Sequence, residues 1–389
     1  MTGSEEGGPR TVAFEVSTLL TESPTGVWTY GEGLMAALRA LRPDRSHTQI
    51  HRWGRVRLRN RRPLSDRADI PIRGYWNGAR LDRRFDLVHA LDTRLPSAYR
   101  GPLVATLFDV ISALPEAAER AWSSTDFREK KRRAYRRIAE RADLTIAVSN
   151  ATKGQFLNLE RPRGPVLTIP PGISGEFLAS GRRRDHEDVL RRLELPPRYL
   201  LSVGALCPRK NIEAIAAAFR RARERDRKLG LVLVGEPASE WTGTPGCREV
   251  GLLGNAVRLL GRLARKDLAS VYVGAEALLY LSHYEGWGLP VVEAMACGAP
   301  VIASRRGGIP EAAGDAALLV DPDSPAEIDA AIGALCSSTE PGERLRGQLE
   351  SQGRERAARL TWESSARQVD DAYRQALEHH ARSASRNRA

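Results

Sequence analysis

Short apolar runs rich in β-branched residues recur along the chain, separated by charged or amphipathic stretches. Continuous apolar runs of this kind are typical of strands that are buried on both faces, and the helical stretches between them favour parallel sheets. The first half contains such runs at 11–17, 86–91, 103–108, 144–149 and 166–171. The second half contains them at 199–204, 229–235, 257–263, 277–282, 300–304 and 317–320.

The chain of 389 residues is longer than the roughly 250–300 residues at which single cores stop growing. We therefore predict an α/β fold of two Rossmann-like, doubly wound domains that face a cleft, with the domains at 1–178 and 199–363. The polar segment at about 178–198 is interpreted as the linker. A last helix at about 364–382 either caps the second domain or packs back on the first. Open α/β sheets bind ligands beyond the carboxyl ends of their strands, so we expect the site residues in loops that follow strands.

One such loop, residues 283–293, reads HYEGWGLPVVE and places Glu285 and Glu293 on either side of a glycine-rich bend. Gly288 permits positive φ and Pro290 suits the first turn of a helix, so the pattern predicts a helix that starts at the bend. The free N–H groups and the positive dipole end of such a helix favour an anion, for which phosphate is the natural candidate.

Two carboxylates beside a phosphate are explained if they accept hydrogen bonds from hydroxyl groups that flank it. A nucleotide-sugar carries hydroxyl groups on both sides of a diphosphate. We therefore predict that Glu293 contacts the ribose and that Glu285 contacts the sugar. The structural alternative is that Glu293 caps the helix and Glu285 braces the turn.

A second loop, GALCPRKN at 204–211, places Arg209 and Lys210 just before another predicted helix. Basic residues are unfavourable at a helix N-terminus unless an anion joins them. We predict that these two side chains neutralise a diphosphate leaving group, and we place Gly204 with the donor-binding residues. The alternative is a pair of surface charges.

The sequence favours metal-independent chemistry with no cofactor. Asp321 and Asp323 have Asp-x-Asp spacing, but Pro322 lies between them and is typical of a turn. No grouping of His and Cys along the sequence offers a transition-metal site.

The formal net charge of +12 is concentrated in two stretches, 51–84 with a net charge of +8 and 128–141 with a net charge of +6. Either these stretches attract an anionic partner, such as a membrane surface or a lipid-linked acceptor, or they are solvated faces. Aromatic residues are sparse there, which argues against nucleic acid. Four scattered cysteines and the lack of a long apolar run predict a cytoplasmic protein, in peripheral contact with the inner face of the membrane if the basic stretches bind it.

Four stretches together, 283–322, 204–211, 141–156 and 25–38, resemble the retaining, nucleotide-sugar-dependent glycosyltransferases of family four. The resemblance spans about residues 11–375 and implies the two-domain GT-B fold. It implies that the first domain lies on the acceptor side and that the second domain binds the nucleotide-sugar.

Carried onto this chain, the resemblance implies donor contacts by six residues: Glu285 to the sugar, Glu293 to the ribose, Gly288 and Leu289 through backbone N–H groups, and Arg209 and Lys210 to the diphosphate. Gly26 would approach the phosphates or the acceptor from the first domain, and residues 257–263 would help to form the base pocket. The family's retention of configuration is ascribed to a front-face route in which the leaving diphosphate helps to deprotonate the acceptor.

The chain departs from the family pattern at residues 108 and 109. Many relatives carry a histidine-aspartate pair there, whereas this sequence has Phe108 and Asp109. The histidine credited with contacting the reacting sugar is therefore absent. Asp109 either orients the acceptor or caps a turn, and His89 either approaches the same region or is a structural histidine.

The resemblance implies an enzyme that moves a hexose or deoxyhexose, such as mannose or rhamnose, from a GDP-, UDP- or dTDP-linked donor. The acceptor is predicted to be a hydroxyl group of a carbohydrate or a lipid-linked molecule in polysaccharide, glycolipid or glycoconjugate biosynthesis. The alternatives are a nucleotide-sugar epimerase on the same scaffold and a non-catalytic, basic binding relative.

Overall fold

The computed structural model describes residues 8–19, 26–52, 70–76, 81–120, 122, 124–180, 185–238 and 241–386. The chain divides into two compact units. Unit 1 comprises Met1–Gly172 and Thr361–Ala389, and unit 2 comprises Ile173–Leu360. Most of the basic stretch 51–84 lies outside the described residues.

Unit 1 contains a seven-stranded, fully parallel sheet with the order β3-β2-β1-β4-β5-β6-β7. Its strands are β1 (Thr11–Glu15), β2 (Ser46–Arg52), β3 (Ile72–Tyr75), β4 (Leu87–Ala90), β5 (Leu103–Leu107), β6 (Leu144–Ala147) and β7 (Val166–Thr168). Its first helices are α1 (Gly26–Leu41), α2 (Pro115–Glu119), α3 (Thr125–Arg141) and α4 (Asn150–Leu159).

Unit 2 contains a six-stranded parallel sheet with the order β10-β9-β8-β11-β12-β13. Its strands are β8 (Tyr199–Val203), β9 (Gly230–Val234), β10 (Val257–Leu260), β11 (Ala277–Tyr280), β12 (Val301–Ser304) and β13 (Leu318–Val320). Its helices are α5 (Gly175–Leu178), α6 (His186–Arg192), α7 (Ile212–Arg225), α8 (Pro245–Leu253), α9 (Arg265–Val273), α10 (Leu289–Cys297), α11 (Ile309–Ala313), α12 (Pro325–Cys336) and α13 (Glu340–Ala358).

The predicted α/β class with two Rossmann-like units is confirmed. Every apolar run that the pattern assigns to a strand contains one, and four of the six strands of unit 2 are buried along their whole length. The pattern does not predict β2 and β3. Strand β2 reads SHTQIHR, so it is buried with polar side chains that a search for apolar runs passes over.

The chain passes from unit 1 to unit 2 between Gly172 and Ile173, which differs from the expected linker at about 178–198. Helix α6 lies within that expected linker and is held in unit 2 by its first residue. The Nδ1 atom of His186 lies 3.0 Å from the Ser270 hydroxyl, and its Nε2 atom lies 2.9 Å from the Ser180 carbonyl oxygen. A charged sequence therefore forms a packed helix here because its apolar face and this histidine find partners.

The last described helix, α14 (Trp362–Arg386), packs against α1 and belongs to unit 1. Helix α1 buries Tyr30, Leu34 and Leu38, which recur every four residues on one face. The ring of Trp362 meets Tyr30 edge to face, with centroids 5.5 Å apart. The chain thus returns to its first unit after completing the second.

Candidate functional site

Three of the predicted donor-site residues, Arg209, Lys210 and Glu285, meet at the carboxyl end of the sheet in unit 2. Arg209 and Lys210 lie in the loop after β8, and Glu285 lies in the loop after β11. Strands β8 and β11 are neighbours in the sheet, so two segments about 75 residues apart in sequence become adjacent. The backbone joins them, because the His283 N–H donates to the Arg209 carbonyl oxygen at 2.9 Å.

Glu285 receives both cations on the same oxygen atom. Its Oε1 atom lies 2.5 Å from Arg209 Nη1 and 2.7 Å from Lys210 Nζ. Burial opposes the charged carboxylate, but the charges of Arg209 and then Lys210 outweigh that effect and lower the pKa of Glu285 to about 2. Glu285 is therefore ionised at neutral pH, and its second oxygen, Oε2, carries neither of these two contacts.

The Lys210 side chain lies at the carboxyl ends of β8 and β11, beside Gly204 and Tyr280. Its Nζ atom donates to the Tyr280 hydroxyl at 2.8 Å and lies 4.4 Å from the centroid of that ring. Burial lowers the pKa of Lys210, whereas the charge of Glu285 opposes that shift. Gly204 makes room for the side chain, because a Cβ atom at this position would lie 2.8 Å from Lys210 Cε, and its φ is +139°. The structure therefore gives Gly204 a packing reason to be glycine.

The backbone of the Glu285 loop is fixed from the next strand. The Gly308 N–H donates to the Glu285 carbonyl oxygen at 2.8 Å. A Cβ atom on Gly307 would lie 2.3 Å from that oxygen, so only glycine fits there. The sequence signal for this contact is the pair of adjacent glycines after β12.

Helix α10 begins at the bend, as predicted. Gly288 is its N-cap residue with φ of +128°, and Leu289 is its first helical residue. Glycine has no side chain that could cap the helix, so the Leu289 N–H and the positive dipole end are available to an anion, whereas the Val291 N–H donates to the Gly288 carbonyl oxygen at 3.0 Å. Pro290 follows, in the first turn where a missing N–H has no consequence.

Glu293 lies on the second turn of α10 and contacts a different element from Glu285. Its Oε2 atom accepts a hydrogen bond from the Tyr272 hydroxyl of α9 at 3.0 Å. Desolvation raises the pKa of Glu293 to about 7, against the lowering effects of Tyr272 and Arg265. The two glutamates therefore occupy opposite electrostatic environments, one paired with two cations and the other with a neutral phenol.

The hydrophobic pattern does not single out Tyr272 and Tyr280, because tyrosine counts as an apolar position in it. Tyr280 has a usable signal, since it is the last residue of a strand whose following loop carries Glu285. Tyr272 carries no comparable signal in the sequence.

The residues predicted for unit 1 show mainly structural contacts. The Asp109 Oδ1 atom accepts from the Ile111 N–H at 3.1 Å, which is the turn-capping alternative. Phe108 meets Tyr30 edge to face at 4.9 Å. Gly26 is the first residue of α1, and its predicted contact with phosphates or acceptor stays a prediction.

His89 is a structural histidine. It is fully buried, with Nδ1 lying 2.9 Å from the Tyr373 hydroxyl and Nε2 lying 2.8 Å from the Thr106 hydroxyl. Burial lowers its pKa to about 3, so the ring is neutral. Its two ring nitrogens therefore join α14 to the sheet of unit 1. These contacts support the alternative of a structural histidine.

The Asp321–Asp323 segment forms a turn, as predicted. The Asp323 N–H donates to Asp321 Oδ1 at 3.1 Å, and the Ser324 N–H donates to the Asp321 carbonyl oxygen at 3.0 Å. Within the described ranges, no group of three or more His, Cys, Asp and Glu side chains is arranged to hold a metal ion. None of the described helices combines the length and the apolar character that crossing a bilayer requires.

Two family models together match almost the whole chain. Residues 7–177 match the model described as Glycosyltransferase Family 4, and residues 185–356 match the model described as Glycosyl transferases group 1. The two matches correspond closely to units 1 and 2.

Curated relatives include several bacterial glycosyltransferases. The chain is 32% identical to the MMP alpha-(1->4)-mannosyltransferase of Mycolicibacterium hassiacum, over 75% of this chain and 71% of the relative. It is 29% identical to the O-antigen chain mannosyltransferase B of Escherichia coli, over 60% of this chain and 61% of the relative. It is 27% identical to the D-inositol 3-phosphate glycosyltransferase of Corynebacterium diphtheriae, over 75% of this chain and 70% of the relative. The match to the Escherichia coli protein thus spans about three fifths of that protein's length.

Solved structures share the architecture along nearly the whole chain. Sucrose-phosphate synthase from Thermosynechococcus elongatus has a TM-score of 0.71 at 23% identity, covering 94% of this chain and 98% of its own. HepE of Anabaena in complex with UDP and glucose has a TM-score of 0.70 at 20% identity, covering 93% and 99%. WaaG, a glycosyltransferase involved in lipopolysaccharide biosynthesis, has a TM-score of 0.68 at 16% identity, covering 93% and 99%. At these identities the likeness shows the fold, and together with the family models and the mannosyltransferase relative it leads to one conclusion: this chain belongs to glycosyltransferase family four and has the GT-B architecture.

Proposed function

We propose that this protein is a retaining glycosyltransferase that moves a hexosyl or deoxyhexosyl group, of the mannosyl or rhamnosyl type, from a nucleotide diphosphate donor to a hydroxyl acceptor. The supporting observation is the cluster of Arg209, Lys210 and Glu285 beside the uncapped N-terminus of α10. Two cations and a helix N-terminus together favour a diphosphate, and a carboxylate beside them accepts sugar hydroxyl groups. Such a cluster matches a nucleotide-sugar better than a simple phosphate ester.

The proposed reaction uses the diphosphate as both leaving group and base. The bond between the anomeric carbon and the diphosphate oxygen breaks, and the acceptor oxygen forms its bond on the same face of the sugar. The acceptor proton passes to the departing diphosphate. Arg209, Lys210, the Leu289 N–H and the positive dipole end of α10 stabilise the negative charge that develops on that group.

The two glutamates have separate roles in this proposal. The Oε2 atom of Glu285 accepts a hydroxyl group of the donor sugar while Oε1 keeps its two cations in place. Glu293 accepts the ribose hydroxyl groups. Residues 257–263 contribute to the base pocket, and no metal or organic cofactor takes part.

The relatives suggest the setting. The relatives include mannosyltransferases, one of which acts on an O-antigen chain, and this supports a role in polysaccharide, glycolipid or glycoconjugate synthesis. HepE binds UDP and UDP-glucose, which supports a nucleotide-linked donor, with the GDP-, UDP- and dTDP-linked sugars as candidates. The relatives reported above are transferases, so the epimerase alternative has no support. We place the protein in the cytoplasm, with a carbohydrate or lipid-linked acceptor and no nucleic-acid partner.

A donor screen tests the proposal. The purified full chain is incubated with each nucleotide-sugar in EDTA, and binding is read by thermal shift and turnover by nucleotide release. We expect one donor to raise the melting temperature and to be consumed faster when an acceptor is present. A donor that returns as an isomer without an acceptor would indicate an epimerase. The lack of binding by every donor would favour a non-catalytic relative, and loss of activity in EDTA would contradict metal independence.

A further inference from the structure

Tyr280 forms a triangle of side chains with Lys210 and Glu285, in which Lys210 contacts the other two. The Tyr280 hydroxyl lies 2.8 Å from Lys210 Nζ, and Lys210 Nζ lies 2.7 Å from Glu285 Oε1. Glu285 also lies near enough to Tyr280 for its negative charge to raise the pKa of the phenol. The tyrosine is 3% exposed and is the last residue of β11, so its ring is held by the sheet itself.

The direction of each hydrogen bond in the triangle follows from the chemistry of the groups. An ammonium group has only donors, so the Tyr280 oxygen accepts from Lys210. The phenol proton is then left to point away from Lys210, and the ionised carboxylate of Glu285 is an acceptor on that side of the site. Burial and then the charge of Glu285 raise the pKa of Tyr280, which keeps that proton in place. Lys210 is thus held between the Tyr280 hydroxyl and the Glu285 carboxylate.

Lysine needs such support more than arginine does. Its ammonium group is a compact, strongly hydrated charge on a stem with four rotatable bonds, whereas the guanidinium of Arg209 has a planar fork. On one side Lys210 has Gly204, which leaves space but makes no side-chain contact that fixes it. The Tyr280 hydroxyl and the Glu285 carboxylate supply the two directional contacts.

We propose that Tyr280 is a positioning residue for the transfer reaction, which holds the Lys210 ammonium group towards the diphosphate and the Glu285 carboxylate towards the donor sugar. The inference rests on the proposed function and extends it to a residue of the strand beneath the site. Tyr280 acts through Lys210 and Glu285 and does not itself touch the donor.

Tyr280→Phe isolates the hydroxyl group, because it keeps the ring that packs under Lys210. We expect kcat to fall about ten- to a hundred-fold, since a hydrogen bond to a charged group is lost, with the donor KM changing less than about two-fold. The loss of an acceptor that stabilises the ammonium form lowers the pKa of Lys210, so the alkaline limb of the kcat profile is expected to move to lower pH.

Tyr199→Phe is the matched control. Tyr199 is also a buried tyrosine on a strand of unit 2, and its hydroxyl donates to the Val271 carbonyl oxygen at 2.7 Å. It is the first residue of β8, whereas the site lies beyond the last residue of that strand. We expect this variant to lose stability but to keep kcat and the pH profile per folded molecule.

A second measurement does not depend on turnover. Lys210 is labelled with an amine-reactive reagent across a pH series, and its labelling is quantified by mass spectrometry. We expect the labelling profile of Lys210 to move to lower pH in Tyr280→Phe and to stay unchanged in Tyr199→Phe. An unchanged profile in Tyr280→Phe, or equal effects of the two substitutions, would overturn the inference. If no donor binds the wild type, the proposed function fails, while the labelling result still decides whether Tyr280 positions Lys210.

Discussion

At the scale of single residues, Glu285 and Glu293 differ in ways that assign them different kinetic effects. Glu285 is ionised and balances two cations, whereas Glu293 is paired with a neutral tyrosine. We expect Glu285→Gln to reduce kcat by about ten- to a hundred-fold, because it removes the charge that orders Arg209 and Lys210. We expect Glu293→Gln to raise the donor KM with less effect on kcat. Steady-state kinetics with the donor varied would measure both, and equal patterns in the two variants would refute this division.

Glu15 is a buried carboxyl group in unit 1 that lies outside the proposed chemistry. It is fully buried at the end of β1, and its Oε1 atom accepts from Ser17 and from the Tyr75 hydroxyl at 3.3 Å. Its Oε2 atom has no hydrogen-bond partner among the described residues. Burial raises the pKa of Glu15 from 4.5 to about 7, against the lowering effects of Ser17, Arg94 and Tyr75.

This raised pKa predicts a loss of stability as pH rises. Between pH 4.5 and about 7 the unfolded chain ionises Glu15 while the folded chain keeps it protonated, so folding becomes less favourable through that window. Relative to the wild type, we expect Glu15→Gln to gain about 2–3 kcal/mol in unfolding free energy between pH 4.5 and about pH 8. Urea unfolding at both pH values measures the difference, with Glu140→Gln on the exposed face of α3 as the control. A difference that does not change with pH would contradict the expectation.

The sequence could predict the chemistry of the site residues but not their pairing. The spacing of Glu285 and Glu293 around Gly288 predicts a bend and a helix start, and both are present. Arg209 and Lys210 can contact Glu285 because β8 and β11 are neighbours in the sheet. A hydrophobic pattern does not predict the order of strands in a sheet. For the same reason, the triangle that includes Tyr280 became visible only in three dimensions.

At the scale of secondary-structure elements, α14 is anchored by a buried ion pair. Asp370 accepts from Arg45 at 2.5 Å and from Arg42 at 3.2 Å, and both Asp370 and Arg45 are 5% exposed. Removing one partner of a buried pair leaves the other charge buried and uncompensated, which costs about 3–5 kcal/mol. We therefore expect Asp370→Ala to lower the free energy of unfolding by about that amount.

Asp371→Ala is the matched control on the same helix. Asp371 is the neighbouring residue, its side chain is 57% exposed, and it pairs with Arg374 at the surface. Exposed ion pairs contribute about 0–1 kcal/mol, so we expect a small effect. Urea unfolding of the two variants measures the contrast, and similar losses would show that the buried pair does not anchor the helix.

Elements built from apolar runs were predictable, and elements built from polar residues were not. Strand β2 is buried through His47, Thr48 and Gln49, which no hydrophobic pattern marks as core. Helix α6 has a charged sequence that is also compatible with an exposed linker, and only its contacts in unit 2 distinguish the two. Such elements are decided by their neighbours, which the local sequence does not contain.

At the scale of the whole molecule, a large part of the net positive charge lies on helix α3. This helix carries eight basic residues at 128–141, and Lys130, Arg133 and Arg137 are among the exposed ones. We propose that this face contacts an anionic membrane surface, where each basic residue contributes about 1 kcal/mol at low salt. We expect changes to this face to alter membrane association and to leave donor binding unchanged.

A vesicle assay measures this association. We expect the full chain to co-sediment with vesicles that contain anionic lipid and to be released as the salt concentration rises. Arg133→Glu with Arg137→Glu should weaken binding. Arg191→Glu with Arg344→Glu changes the net charge by the same amount at exposed positions of unit 2 and should not. Equal weakening by both pairs would mean that only net charge matters, and the α3 surface would then have no special role.

The return of α14 to unit 1 has a consequence for the order in which the protein is made. His89 finds its partner 284 positions later in the chain, and Arg45 finds Asp370 325 positions later. During synthesis these partners emerge only after all of unit 2 has left the ribosome. Domains commonly fold in the order of translation. Here unit 1 is synthesised first but is completed only after unit 2, because its last helix lies at the end of the chain. Until α14 arrives, the nascent unit 1 exposes the buried face of α1, so the growing chain has a long interval in which a chaperone can bind it.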